Sequence, residues 1–247
     1  MKKFDSATVW NELIAEFDAA NPRGDETEAV AFLESMAQGG AALELGIGTG
    51  RIALPLSERG IRVDGIDLSP AMLAKLRSRP GGERVSVTLG DMSDVGVDGT
   101  YPLIYVVFNS LFNVPSQDGQ ARCFENVATH LSENGVFVVE AASPMTWFHG
   151  LRKEQYVEAE VVEVDHVVLD VLRFDSATQM LWESHVRISP KGVHMFPVVQ
   201  RYSWPSELDL MARLAGLELK ERWGSWTREP FTSSSPTVVS VYGHREG

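Results

Sequence analysis

Apolar positions along the chain fall first at helical and then at strand spacing. Trp10, Leu13, Ile14 and Phe17 recur every three or four residues, Asn21-Pro22-Arg23-Gly24 breaks the pattern, and residues 26–36 resume it, so residues 1–38 read as helical. The rhythm then changes. Short apolar runs at 41–45, 61–66, 85–89, 103–108 and 136–140 read as strands, and amphipathic segments at 52–59, 71–77 and 117–131 read as helices between them. Alternation of this kind predicts an α/β fold with a doubly wound, mostly parallel sheet covered by helices on both faces. Beyond residue 142, runs at 156–164, 166–174, 180–188 and 193–202 are separated by turn signals such as Asp175-Ser176 and Pro190-Lys191-Gly192, the pattern of an antiparallel β-meander. A helix at 206–214 follows, with Ser203 or Ser206 to cap it, Pro205 at its start and Gly216 to stop it. Late strands at 217–223 and 237–242 complete the chain.

No repeat or low-complexity linker divides this order, so one domain is expected over residues 1–247. It comprises a helical cap at 1–38, a core at 39–150, a meander insertion after the fifth strand at 151–203, and a C-terminal helix with two strands at 204–247. Charge narrows the partners. Acidic residues outnumber basic ones 34 to 22, for a net charge of -12, which works against a phosphate backbone as ligand and argues for no nucleic acid partner. Cys123 is the single cysteine, so no intrachain disulfide or Cys-rich zinc site is expected, and a reducing cytoplasmic setting fits. Residues 4–8 lack the apolar run of a secretion signal, and 103–108, the longest strongly apolar stretch, falls far short of the ~20 residues that span a bilayer. No membrane partner is expected.

The candidate chemistry begins at Glu44-Leu45-Gly46-Ile47-Gly48-Thr49-Gly50-Arg51, where the first strand hands over to the first helix of the alternating region. Glycines there let a backbone approach a ligand and adopt positive φ, although the string alone also suits a plain tight turn. Asp67, at the end of the second strand, lies ~20 residues beyond Gly46, the spacing at which an acidic side chain takes a ribose hydroxyl pair. A dinucleotide fingerprint wants Gly or Ala at its sixth position, where this chain has Arg51. No Tyr-x-x-x-Lys pair is present either, so a nicotinamide-dependent oxidoreductase is the weaker alternative. Glu44 places a carboxylate where an amino-acid-bearing sulfonium cofactor would welcome one.

With Gly90-Asp91-Met92 after the third strand and Phe108-Asn109-Ser110-Leu111 after the fourth, the chain resembles the class I S-adenosylmethionine-dependent methyltransferases over residues 41–142. The resemblance implies a seven-stranded Rossmann-like sheet with one antiparallel strand near the C-terminus. It implies S-adenosylmethionine as cofactor, with Glu44, Gly46, Gly48 and Gly50 around its methionine portion and Asp67 on the ribose. Leu68 would pack on adenine, Asp91 and Met92 would meet the adenine amino group, and Phe108 and Asn109 would line the methionine end. From the residues alone, Leu68 and Met92 also fit a plain core, Asp91 a helix cap and Asn109 a turn.

After the fourth strand the two prolines of nucleic-acid base methylation are missing, and residues 108–114 hold no carboxylate for a metal. The layout is similar to the natural-product and sugar-amine branch of the family, which implies a small-molecule acceptor. Trp10, Phe17, Asn113 and Trp147 are expected to line its pocket, although aromatics at helical spacing also suit a core. Methyl transfer asks mainly for alignment, an effect that reaches ~10⁵ to 10⁸ M in effective molarity. A hydroxyl acceptor would gain from a base, for which His149 is the candidate, while His130 near a helix C-terminus reads as structural. Glu158, Glu160, Glu163, Asp165 and Asp170 fall within 157–170 without a Lys or Arg, so that segment is a solvated face or an attractor for a cationic amine. The meander's unpaired edges and Val-rich runs, with Trp182 and Phe196, suggest a pocket wall or a homodimer contact. A family member that binds the cofactor without transferring its methyl group, as a cyclase or binding module, is the remaining alternative.

Overall fold

The computed structural model describes residues 12–20, 22–94, 96–147 and 155–245. Trp10 and His149 lie outside the described residues. Among the described residues, two helices, α1 (Glu12–Ala20) and α2 (Glu26–Ala37), precede the first strand, with residues 22–25 between them outside either helix. The alternating region then runs β1 (Ala42–Leu45), α3 (Ala53–Glu58), β2 (Val63–Asp67), α4 (Pro70–Ser78), β3 (Ser86–Leu89), β4 (Tyr101–Val106), α5 (Gln117–His130) and β5 (Leu131–Ala142). Local chemistry sets several of these boundaries. Ser69 caps α4 by accepting the Met72 N–H with Pro70 in the first turn, and Ser116 caps α5 by accepting the Gly119 N–H. α5 stops where the His130 ring contacts the Asn126 and Val97 carbonyls, which makes His130 structural, as expected.

A short α6 (Pro144–Trp147) leads to the meander strands β6 (Gln155–Val162), β7 (Val167–Asp175), β8 (Met180–Ser189) and β9 (Gly192–Arg201). Then come α7 (Pro205–Leu214), β10 (Leu217–Trp223) and β11 (Thr237–His244). Neither Ser203 nor Ser206 caps α7. Trp204 holds that position with no side-chain cap to the helix, and Pro205 sets the helix start.

The large sheet has seven strands in the order β10-β11-β5-β4-β1-β2-β3. β11 alone runs against both of its neighbours, so the sheet is mostly parallel with one reversed strand. β1 is buried at all four positions because helices cover both faces. Phe32, Leu33, Leu54 and Leu56 pack against Leu103, Tyr105 and Val138 on one face, and Phe124 and Leu208 against Leu43, Ile104 and Val106 on the other. Strand order reverses between β1 and β4, and the ends of those strands frame a crevice, the usual ligand position in open α/β sheets.

β6 to β9 form a separate four-stranded antiparallel sheet. One end of it rests on the large sheet, where Leu172, Phe174 and Leu181 meet Phe112, Ala141 and Val238. A buried polar knot fastens the same end. Arg201 pairs with Glu207 at 2.7 Å and donates to Gln120 at 2.8 Å, and Ser203 donates to Gln120 at 2.7 Å.

Candidate active site

The crevice is built around the β1–α3 turn. Gly46, Gly48 and Gly50 all have left-handed backbones. A Cβ on Gly46 would stand 3.0 Å from both Met92 and Ser110, so the turn can lie flat against the cleft only with hydrogen at that position. Gly50 is outside the lining; a Cβ there would meet Leu54 and Leu76 at 3.0 Å, so its freedom serves packing of α3 on α4. Asp67 ends β2 facing this turn. Its Oδ2 accepts the Gly48 N–H and its Oδ1 the Ser69 N–H, each at 2.8 Å. Burial pushes the Asp67 carboxyl above the usual carboxylate range, against those two bonds.

Glu44 forms the floor, 2% exposed and bonded by the Tyr105 hydroxyl at 3.0 Å. Burial pushes its carboxyl well above the usual range, and Asp67 and Asp18 add to the effect. Asp18 comes from α1: it accepts the Thr49 hydroxyl at 2.6 Å and pairs with Arg51, which also lies 3.5 Å from Glu26 of α2. The cap helices are thus fastened to the glycine turn by charge. Arg51 is the one basic side chain among the described lining residues, which also include Asp18, Glu44, Asp67 and Asp91. Such a cleft repels a pyrophosphate and favours a cation.

Leu68, Asp91, Met92 and Phe108 line the cleft as well. Leu68 is 40% exposed, which sets aside the plain-core reading for it. Asp91 does not cap a helix; its Oδ1 accepts the Ser93 N–H and hydroxyl at 2.8 Å each, in a tight turn that leaves the carboxylate at the wall. Phe108 and Asn109 are consecutive non-glycine residues at φ 57 and φ 62. Asn109 stands behind the wall and outside the lining, its Oδ1 accepting the Ala142 N–H at 2.6 Å.

Of the residues expected at the acceptor, Asn113 lines the cleft and accepts from the Gln200 amide of β9 at 3.1 Å. Phe17 is outside the lining, and the Trp147 side chain is not among those described. Phe17 instead stacks on Phe196 of β9 at 5.0 Å, beside Ile14, Ala15 and Met72, and the last of these does line the cleft. Trp182 lies against Arg173, 3.9 Å from its guanidinium. Asp18 and Met72 have no place in the sequence reading. For Asp18 a signal existed: it stands four residues after the buried Ile14, an acid on the apolar stripe of a helix.

The methyltransferase domain family matches residues 42–135. The CcbJ methyltransferase from Streptomyces caelestis is 34% identical, superposes with a TM-score of 0.91, and covers 98% of this chain and 100% of its own. The chain belongs to the class I S-adenosylmethionine-dependent methyltransferases. The cypemycin N-terminal methyltransferase of a Streptomyces species is 26% identical over 203 residues, 82% of either chain. The sugar N-methyltransferase KedS8 from Streptoalloteichus, 20% identical with a TM-score of 0.66 over 95% of this chain and 92% of its own, shares the fold. S-adenosylmethionine is the cofactor of this methyltransferase, and the cleft fits it on its own terms. The Gly46 cradle accepts a close ligand, and the excess of carboxylates suits a sulfonium and an ammonium.

Proposed function

We propose that the enzyme methylates an amine nitrogen of a small molecule, with the inner face of the meander as acceptor site. The observation that carries this is the cross-strand register. Glu158, Asp170, His185 and Phe196 form one row, and Tyr156, Leu172, Glu183 and Val198 the next. The rows share a face, since successive side chains of a strand alternate and these are two residues apart. Phe196 touches down on α1 beside Met72, and Gln200, four residues further along β9, reaches Asn113. The stretch between them therefore overhangs the cofactor mouth.

That roof is acidic. His185 Nδ1 lies 2.5 Å from Asp170, and its Nε2 lies 3.9 Å from Glu183. The bond to Asp170 pushes the imidazole up to about 9, against burial and with help from Glu183 and Glu160. Even with His185 charged, Glu158, Glu160, Asp170 and Glu183 leave the face negative, suited to an ammonium group. The acidic segment read from the sequence thus divides: Glu158, Glu160 and Asp170 belong with this roof, while Asp165 is fully exposed and pairs with His166. The cypemycin enzyme is, by its name, an N-terminal methyltransferase, which is consistent with an amine acceptor here.

In the same reading Asp67 accepts from the ribose hydroxyls, Leu68 and Met92 flank the adenine with Asp91 at its edge, and Glu44 and Phe108 border the methionine end. Bound S-adenosylmethionine supplies an electrophilic methyl group on a sulfonium. The chain's part is to hold the amine in line, exclude water through α1 and the meander, and let the ammonium proton leave before the nitrogen attacks. The described residues contain no helix long and apolar enough to cross a membrane. A cytoplasmic enzyme with neither nucleic acid nor membrane as partner fits its acidity. On the outer meander face Val157, Val171, Ile188, Val193 and Met195 are 40–65% exposed, which supports a homodimer through that sheet. The test offers labelled S-adenosylmethionine with paired acceptors, amino sugars and free peptide N-termini against their hydroxyl analogues, and locates the label by mass spectrometry. Nitrogen methylation that weakens in Glu183→Gln is expected; methylation confined to hydroxyls would refute the reading.

A further inference from the structure

Glu140 lies near the end of β5, behind the cleft, 1% exposed and absent from the lining. Removing a carboxylate from water is costly, so such a residue needs partners that offset its burial. Its Oε2 accepts the Phe108 backbone N–H at 2.6 Å, and its Oε1 lies 3.7 Å from the Arg23 guanidinium. Both partners bear on one ring. Arg23 also covers the face of Phe108 at 4.2 Å, and Arg51 stands 5.2 Å from the same ring.

Phe108 requires this support. A bulky residue at φ 57 gives up its preferred conformations and persists only where its surroundings over-determine it. Asn109 supplies its own tether through its side chain on Ala142, whereas Phe108 has no polar atom with which to do so. The tether for Phe108 comes from another strand and from the loop that joins the cap helices.

We propose that Glu140 is a positioning residue for methyl transfer, acting through Phe108: the bond to the Phe108 N–H and the pairing with Arg23 hold that ring against the cleft in a backbone conformation it would otherwise leave. The proposal rests on the reading that Phe108 borders the methionine end of the cofactor, and it adds the residue that keeps it there.

A double-mutant cycle on S-adenosylhomocysteine affinity, measured by calorimetry, tests it. Glu140→Met fills the space without an acceptor oxygen and is expected to weaken binding about tenfold or more. Glu140→Gln, which keeps an oxygen for the N–H, should stay within about threefold of the parent. In a Phe108→Gly background, where the backbone needs no help and the ring is gone, Glu140→Met should add less than about threefold. Full additivity in that background, or equal damage from Gln and Met, would overturn the proposal. An affinity unaffected by Phe108→Gly would instead overturn the reading of the cleft beneath it. One measurement requires no folded variant: in the parent protein the Phe108 amide proton should be strongly protected from exchange, and exchange at the rate of an open loop amide would also refute the tether.

Discussion

Replacing Asp67 separates what the cleft does for the fold from what it does for the cofactor. Its two oxygens hold the Gly48 and Ser69 N–H groups at 2.8 Å before any ligand binds. Asp67→Ala leaves both donors unmet, at about 1–3 kcal/mol each for a buried group; Gly48 lines the cleft, where water reaches it, but Ser69 is buried, so a combined loss of about 2–4 kcal/mol is expected. Cofactor binding should weaken separately by the ~1.5–3 kcal/mol of hydrogen bonds to a charged acceptor, roughly 10- to 150-fold in Kd. Asp67→Asn divides the two effects. Its one carbonyl oxygen keeps a single backbone N–H, its amide points a donor at the other, and its charge is gone. It should therefore lie between parent and Asp67→Ala in urea denaturation without ligand, yet bind S-adenosylhomocysteine nearly as poorly as Asp67→Ala in calorimetry. Parent-like affinity in Asp67→Asn would refute the role of the charged carboxylate on the ribose. Unchanged stability in Asp67→Ala would show that the two turn bonds contribute nothing net.

Because burial holds the Glu44 carboxyl well above its ordinary 4.5, the folded protein keeps that proton longer than the unfolded chain. Stability from this group therefore falls as pH rises from about 4.5 towards the raised value, and a bound cation reverses the trend by favouring the ionised form. S-adenosylmethionine affinity should accordingly rise with pH across that window, by at most about tenfold per unit, and lose the slope in Glu44→Gln; a parallel slope in the variant would assign it elsewhere. Arg201→Met should cost about 3–5 kcal/mol in urea denaturation by stranding Glu207 in the knot under the meander, with part recovered by adding Glu207→Leu. A loss below 1 kcal/mol would mean Gln117 and Gln179 satisfy Glu207 alone.

The alternating core was legible because each of its signals is local. Four buried residues in β1 read as a parallel strand, and the amphipathic run at 71–77 as the helix that follows β2. Boundaries failed where a distant strand decided them. β5 begins at Leu131, inside the stretch that reads as helix, because Leu131 pairs with Tyr101 across a register shift. The meander was legible as four strands, but not which of its faces looks inward. Alternation assigns residues to two faces, and here both carry Val and Leu, so only docking of Phe174 and Leu181 on the large sheet chooses between them.

At the site, the same division follows the range of the interaction. Gly46 and Asp91 were readable because each serves the turn in which it sits, and a turn's geometry is written in a few consecutive residues, while Asp67 was readable from its spacing to Gly46, which a strand-turn-helix-strand unit fixes. Asp18 and Glu140 serve groups 31 and 32 positions away in the chain, Thr49 and Phe108 respectively, and no local pattern encodes a partner at that separation. Phe108 is the sharper instance. Propensity forbids an aromatic at positive φ, and the chain places one there beside an asparagine that tolerates it. The conflict is resolved only in three dimensions, by a buried carboxylate below the backbone and a guanidinium on the ring. A strained residue kept at the wall of a binding cleft, at the cost of burying a charge to hold it, is the arrangement expected where the position of a side chain matters more than its stability. Phe108→Gly should therefore relieve strain in the free protein while weakening the cofactor complex. A stability gain without that weakening would mean the strain serves nothing at this site.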